Sequence, residues 1–328
     1  MNSEGNPMMM HTSMRKIWPY LFILPWIIGF LVFTLGPLIL SLVMSFFDWS
    51  ITGTPRFRGL GNYVEMFTAD DQFWKSLTIS LKYAAIFVPL NLVLALFLAM
   101  LISQPVKGVK FFRTVFYLPA VISGVAVSII FGWLLNGNYG VINYLLSLIG
   151  ITGPQWLVDP NWALVAVVLA SAFGVGTMML IFYTDIRNIP IDLYEAAALD
   201  GAGPAKQFFS ITLPMITPTI LFNLVTSIIS SFQQVALVML LTNGGPLKST
   251  YFYGLMTYNN AFKFHKLGYA SANAWVMFII ILLLTGLVFK SSDMWVFYQT
   301  STAKKDKGAK QVKKRKASHV IKRGAERQ

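Results

Sequence analysis

The run Glu195-Ala196-Ala197-Ala198-Leu199-Asp200-Gly201, followed by Ile211-Thr212-Leu213-Pro214, decides how the rest of the chain is read. Long apolar stretches lie on both sides of it, yet the run itself is charged and punctuated by Gly and Pro. Pro190 fits the first turn of a short helix, where its missing N–H costs nothing. Asp192 then stands where an anion favours a helix N-terminus. Ile191, Leu193, Tyr194, Ala197 and Ala198 give that helix a small, mostly apolar surface. Gly201 can close it at positive φ, and Pro204 can open a second helix. A helix-turn-helix of this kind, rooted between apolar segments, predicts a surface for something outside the membrane to grip.

Composition supports the membrane setting. The chain has 328 residues, 55% hydrophobic and 12% charged, where a soluble domain carries about a quarter charged residues. Cysteine is absent, which excludes disulfides, thiol chemistry and cysteine-ligated metal. His11, His265 and His319 are scattered and form no ligand cluster. The net charge of +13 is concentrated in the C-terminal tail.

Outward from the central loop, charge-free runs mark the spans. Residues 17–47 carry no charge and exceed the apolar core of a signal peptide, about 7–15 residues, so they predict a retained first span. A crossing needs about 20 apolar residues. Further helices are expected over about 83–106, 114–135, 161–184, 215–242 and 271–289, with a mixed-charge loop over 48–82. The piece Val141 to Ile149 is too short to cross and is expected to lie in the interface or re-enter. The expected organisation is a tail over 1–16, a membrane domain over 17–299 containing the loop 185–214, and a basic, disordered tail over 300–328. This is an all-α integral membrane protein with six transmembrane helices.

Lysine and arginine in short loops set the orientation. Arg15-Lys16, the Lys107 to Arg113 loop, the central loop and the C-terminal tail fall on one side, which predicts cytoplasmic N- and C-termini in a multi-pass cell-membrane protein. Lys248, Lys263 and Lys266 run against that count. The run Lys313-Lys314-Arg315-Lys316 suits anionic lipid headgroups, and no nucleic-acid partner is expected.

The missing chemistry is informative. No G-x-x-x-x-G-K-[ST] loop, zinc-protease motif or serine-nucleophile motif occurs. The interiors of the spans hold essentially no ionisable groups, which ion-coupled carriers generally need at mid-membrane. Energy is therefore expected from outside the bilayer. In the fifth span Asn223, Ser227, Ser231 and Gln234 recur at steps of four, four and three and share one helical face. Such a face can line a wet path for a neutral polyhydroxylated solute, or it can bond neighbouring helices.

The spacing Glu-Ala-Ala, three residues, Gly, nine residues, Ile, one residue, Leu-Pro resembles the cytoplasmic loop of permease subunits in ATP-binding-cassette importers. Gly59-Leu60-Gly61-Asn62-Tyr63, Phe112-Arg113-Thr114 with Leu118-Pro119, and Thr242-Asn243-Gly244-Gly245-Pro246 extend the likeness to the maltose-type carbohydrate permeases. The resemblance implies a type I importer permease fold, with Glu195, Ala196, Ala197, Asp200 and Gly201 in a coupling helix seated on an ATPase subunit. It implies solute contacts at Ser227, Ser231 and Gln234, where the maltose member has Asn at the last two, and pathway positions at Gly124 and Gly174. The implied partners are a second homologous permease, two ATPase subunits, an extracellular solute-binding protein and a carbohydrate, in a lipid bilayer. No enzyme activity or cofactor is expected in this chain, since ATP and magnesium would sit on the ATPase subunits. The alternatives are another polar cargo, such as a phosphorylated polyol, or a stand-alone secondary carrier.

Overall fold

The computed structural model describes residues 20, 22–51, 53–104 and 107–297. The tail 1–16, the opening residues of the expected first span and the basic tail 300–328 lie outside the described residues. The chain runs through α1 (Phe22–Met44), a small hairpin of β1 (Phe47–Asp48) and β2 (Arg56–Phe57), α2 (Gly61–Thr68), α3 (Asp71–Ser103), α4 (Val109–Val121) and α5 (Gly124–Leu134). It continues through α6 (Val141–Leu148), α7 (Pro160–Ala172), α8 (Gly176–Asn188), α9 (Ile191–Leu199) and α10 (Pro204–Met215). Last come α11 (Thr217–Phe232), α12 (Ala236–Leu241), α13 (Tyr253–Tyr258) and α14 (Leu267–Ser292).

Three of these, α1, α3 and α14, are apolar and long enough to cross a bilayer unbroken. Three bent pairs are apolar and long enough together to supply up to three more crossings: α4 with α5 at 99°, α7 with α8 at 50°, and α10 with α11 at 65°. Each bend has a local cause. Ile122 and Ser123 are extended, and the Ser123 hydroxyl accepts from the Ala126 N–H as the cap of α5. Phe173, Gly174 and Val175 interrupt the fourth crossing. Pro214 and Pro218 flank Ile216. Pro218 leaves the Pro214 carbonyl without its helical donor, and the Thr217 hydroxyl fills that place at 2.7 Å.

The structure differs from the charge-free windows in instructive ways. α3 starts at Asp71, twelve residues before the expected Tyr83, because Asp70 accepts the Gln72 N–H and starts the helix early. Asp71, Lys75 and Lys82 then sit on its exposed side while Phe73, Ser76 and Ser80 are buried. Charge absence locates apolar helix, not the whole helix. The expected fifth span over 215–242 is interrupted at Ile216 and again at 233–235. Helix α1 widens to a π-turn over Leu31–Leu35, just before Pro37, and α10 does the same over Phe208–Thr212, just before Pro214.

The described residues form two compact units. One holds residues to Ile79 with Tyr251–Ile280, the other Ser80–Thr250 with residues from Ile281 onward. In the first, Met66, Phe73, Tyr253, Met256, Tyr269 and Val276 make the core. There the Tyr269 hydroxyl donates to Asp70 Oδ2 at 2.6 Å and fastens the start of α14 to the start of α3. In the second, Ala95, Ala99, Val175, Met179, Phe182 and Ile216 pack together. Its loop around α6 is tied by Asn143, which donates to the Gly137 and Pro154 carbonyls and accepts from the Trp156 indole. Outward-facing Phe, Leu, Ile and Val cover the long helices, as lipid contact requires.

Candidate functional site

The first candidate site is α9 and its turn. Pro190 stands one residue before the helix with ψ 130°, so it enters at the cap rather than inside the first turn. Asp192 occupies the first turn. At the far end Gly201 takes φ +75°. The Gly201 N–H bonds the Ala198 carbonyl at 3.0 Å and the Ala202 N–H bonds the Ala197 carbonyl at 2.9 Å. These two bonds form a Schellman closure, which needs a left-handed residue in the Gly201 position.

Most of α9 is uncovered by its own chain. Leu199 is 90% exposed and Ile191 69%. Asp192, Glu195, Ala196, Ala198 and Asp200 are exposed too, while Tyr194 and Ala197 alone in 191–200 are half-buried. Among the described residues Glu195 has no ion-pair partner. A two-and-a-half-turn helix with so little burial needs an anchor, and Tyr194 is it. Its hydroxyl meets the Thr212 hydroxyl at 2.8 Å, inside the π-turn of α10. Sequence reading quoted Thr212 within the motif but not as this partner.

The root of α9 is equally fixed. The Arg113 guanidinium of α4 lies 4.2 Å from the Tyr183 ring centre and also bonds the Tyr183 hydroxyl. Two residues on, Asp185 accepts from the Thr219 hydroxyl of α11 at 2.6 Å. At the other end of α8, a Cβ on Gly176 would stand 2.7 Å from the Phe116 carbonyl oxygen, so the backbones of α8 and α4 meet there. The helix that leads into α9 is thus held to both α4 and α11.

The second candidate site is the polar stripe. Asn223, Ser227 and Ser231 on α11 are 1–2% exposed, closed inside the chain. Ser231 donates to its own helix at the Ile228 carbonyl, 2.7 Å. Asn223 Nδ2 and Ser227 Oγ have no hydrogen-bond partner among the described residues. Gln234, Gly124 and Gly174 are different: Gln234 is half-buried and both glycines are exposed. All three lie at helix breaks. Gly124 opens α5 after the 99° bend, Gly174 sits in the bend between α7 and α8, and Gln234 lies between α11 and α12. Two of these breaks are linked, because the Tyr83 hydroxyl donates to Ser171 at 2.8 Å and also meets Gln234. Broken helices at membrane depth are tolerated only where protein buries the freed backbone groups or a water-filled cavity serves them. The breaks, and Tyr83 as their link, were not read from sequence. The Gly-x-Gly at 174–176 and the paired prolines at 214 and 218 were their signals.

Comparison with known proteins agrees with this arrangement. Residues 91–296 match the family described as "Binding-protein-dependent transport system inner membrane component". A probable ABC transporter permease protein of Bacillus subtilis, YesP, is 44% identical over 88% of this chain and 95% of its own. The lactose transport system permease protein LacF of Rhizobium radiobacter is 35% identical over 82% of this chain and 92% of its own. Among solved structures, a bacterial alginate ABC transporter, in complex with an alginate pentasaccharide-bound periplasmic protein, is similar at a TM-score of 0.75. It has 25% identity and covers 86% of this chain and 96% of that one.

Proposed function

From the premise that this chain belongs to the binding-protein-dependent transport system inner membrane components, we propose that it is the membrane permease of an ATP-driven importer whose cargo is a carbohydrate. The fold is that of an ABC importer permease. A carbohydrate cargo is supported by the lactose permease among its relatives and by the uncharged, amide- and hydroxyl-bearing stripe of α11. An anionic cargo would call for Arg or Lys beside that stripe, and α11 has none. The six crossings make a multi-pass membrane protein. The excess of Lys and Arg in the short loops and the C-terminal sequence supports a cytoplasmic side for α9 and both termini.

In this reading Glu195, Ala196, Ala197, Asp200 and Gly201 dock on a separate ATPase subunit, one of two, which binds the ATP and magnesium. A second permease subunit and an extracellular solute-binding protein complete the assembly. The observation that carries the reading is the exposed, unpaired α9 with a single side-chain anchor at Tyr194. ATP-driven closure of the ATPases moves α9, and α9 moves the three broken crossings. Gln234, Gly124 and Gly174 lie along the accessible part of the path, and Asn223, Ser227 and Ser231 join it when the helices part. Cargo shifts the equilibrium only by its differential affinity for the two states.

The test is Glu195→Lys in the reconstituted importer. Glu195 is exposed and unpaired within the chain, so thermal stability of the isolated permease should be unchanged while ATP-dependent uptake is lost. Uptake at the native rate would overturn the docking role.

A further inference from the structure

Two buried stripes run along neighbouring helices of one unit. On α3 they are Tyr83, Phe87, Asn91, Ala95 and Ala99, buried at steps of four. Along α11 and its flanks, Ile220, Asn223, Ser227, Ser231 and Gln234 follow the same helical period. Two contacts fix the register between them. At one end Ala95 and Ala99 share an apolar cluster with Ile216, and Ile220 packs against it. At the other end Tyr83 meets Gln234. At 1.5 Å rise per helical residue, Asn91 lies about 6–12 Å along α3 from Ala95 and Ala99, and Asn223 and Ser227 lie about 5 and 10 Å along α11 from Ile220. Asn91 is therefore level with the turn of α11 that carries Asn223 and Ser227.

At that depth three buried atoms have no hydrogen-bond partner among the described residues: Asn91 Oδ1, Asn223 Nδ2 and Ser227 Oγ. The residues are 8%, 1% and 2% exposed. Their chemistry is complementary. The first only accepts, the second only donates, and the hydroxyl does either. They do not bond one another, yet one small guest with two protons and two lone pairs would satisfy all three. Residues this closed leave no room for a solute of sugar size, and buried polar groups without protein partners are commonly served by a single water with two to four hydrogen bonds.

We propose that Asn91, Asn223 and Ser227 form a binding site for one water molecule, which joins α3 to α11 at mid-membrane in place of a direct side-chain contact. The site stands on these three groups and not on the cargo assignment. Only its consequence rests on that assignment: when the path opens, the same groups become available to solvent or to solute hydroxyls.

A double-mutant cycle read by thermal unfolding tests it in the purified, assembled transporter without cargo. Asn91→Leu and Asn223→Leu should each lower the melting temperature by about 2–8 °C, since each strands the remaining groups. The double variant should recover at least half of the summed loss, because a dry apolar joint strands less. Ser227→Ala with Asn91→Ala gives a second cycle if a leucine variant does not assemble. Additive losses, or single variants that melt like the native protein, would overturn the site. So would coupling that appears only when cargo is present, which would make the guest a solute hydroxyl. The readout is melting and not uptake, so a failed cargo assignment leaves it intact.

Discussion

Gly201 holds φ +75°, and nothing lies within 4 Å of where its Cβ would be. A side chain there meets no neighbour, so its whole cost is backbone strain, about 1–2 kcal/mol for an L-residue in the left-handed region. That is small against the stability of the chain but concentrated at the closure of α9. Gly201→Ala should leave melting within a few degrees of native and sharply reduce ATP-dependent uptake; a variant that transports at the native rate would show that the closure does not matter. Glu195 and Gly201 thus act for opposite physical reasons. In the proposed docking, one presents a charge to a partner, and the other sets the direction in which the chain leaves the helix. Both were readable from their spacing, because a charge on a short loop helix and a glycine at its end are local features. The Tyr194 to Thr212 contact was not, since a π-turn is decided by how Pro214 and the surrounding packing share out carbonyls.

At the scale of an element, the informative objects are the breaks. Each bent crossing turns where a capping serine, a glycine or a proline pair disturbs the hydrogen-bond ladder. Without water in the bilayer core, such breaks persist only where protein or a wet cavity serves the freed groups. The stacking of α8 on α4 depends on Gly176, whose Cβ would crowd the Phe116 carbonyl and Tyr117. Gly176→Leu should therefore destabilise the chain by about 1–3 kcal/mol through overpacking. A melting temperature equal to that of the native protein would mean that α8 and α4 do not hold this approach in solution. The α11 stripe shows the limit of periodicity. Steps of four, four and three put Asn223, Ser227, Ser231 and Gln234 on one face. They could not say that three of them are shut inside the chain while Gln234 falls beyond the helix end.

At the scale of the whole molecule, the proposed importer takes its driving force from separate ATPase subunits, in keeping with crossings that hold almost no Asp, Glu, Lys or Arg. The chain reconstituted alone in liposomes should move no carbohydrate under any ion gradient, and uptake should appear when permease partner, ATPases and ATP are supplied. Ion-driven uptake by the chain alone would overturn the importer reading. The sequence by itself determined the membrane class, the apolar segments and the charged, Gly- and Pro-punctuated loop between them. Those follow from local quantities: a run of apolar residues is long enough to span or it is not, and a motif is present or absent. The tertiary structure decided which crossings are broken, how α9 is anchored, and that Asn91 stands level with Ser227. Those depend on residues far apart in sequence competing for the same carbonyls and the same space, and no single stretch contains that competition.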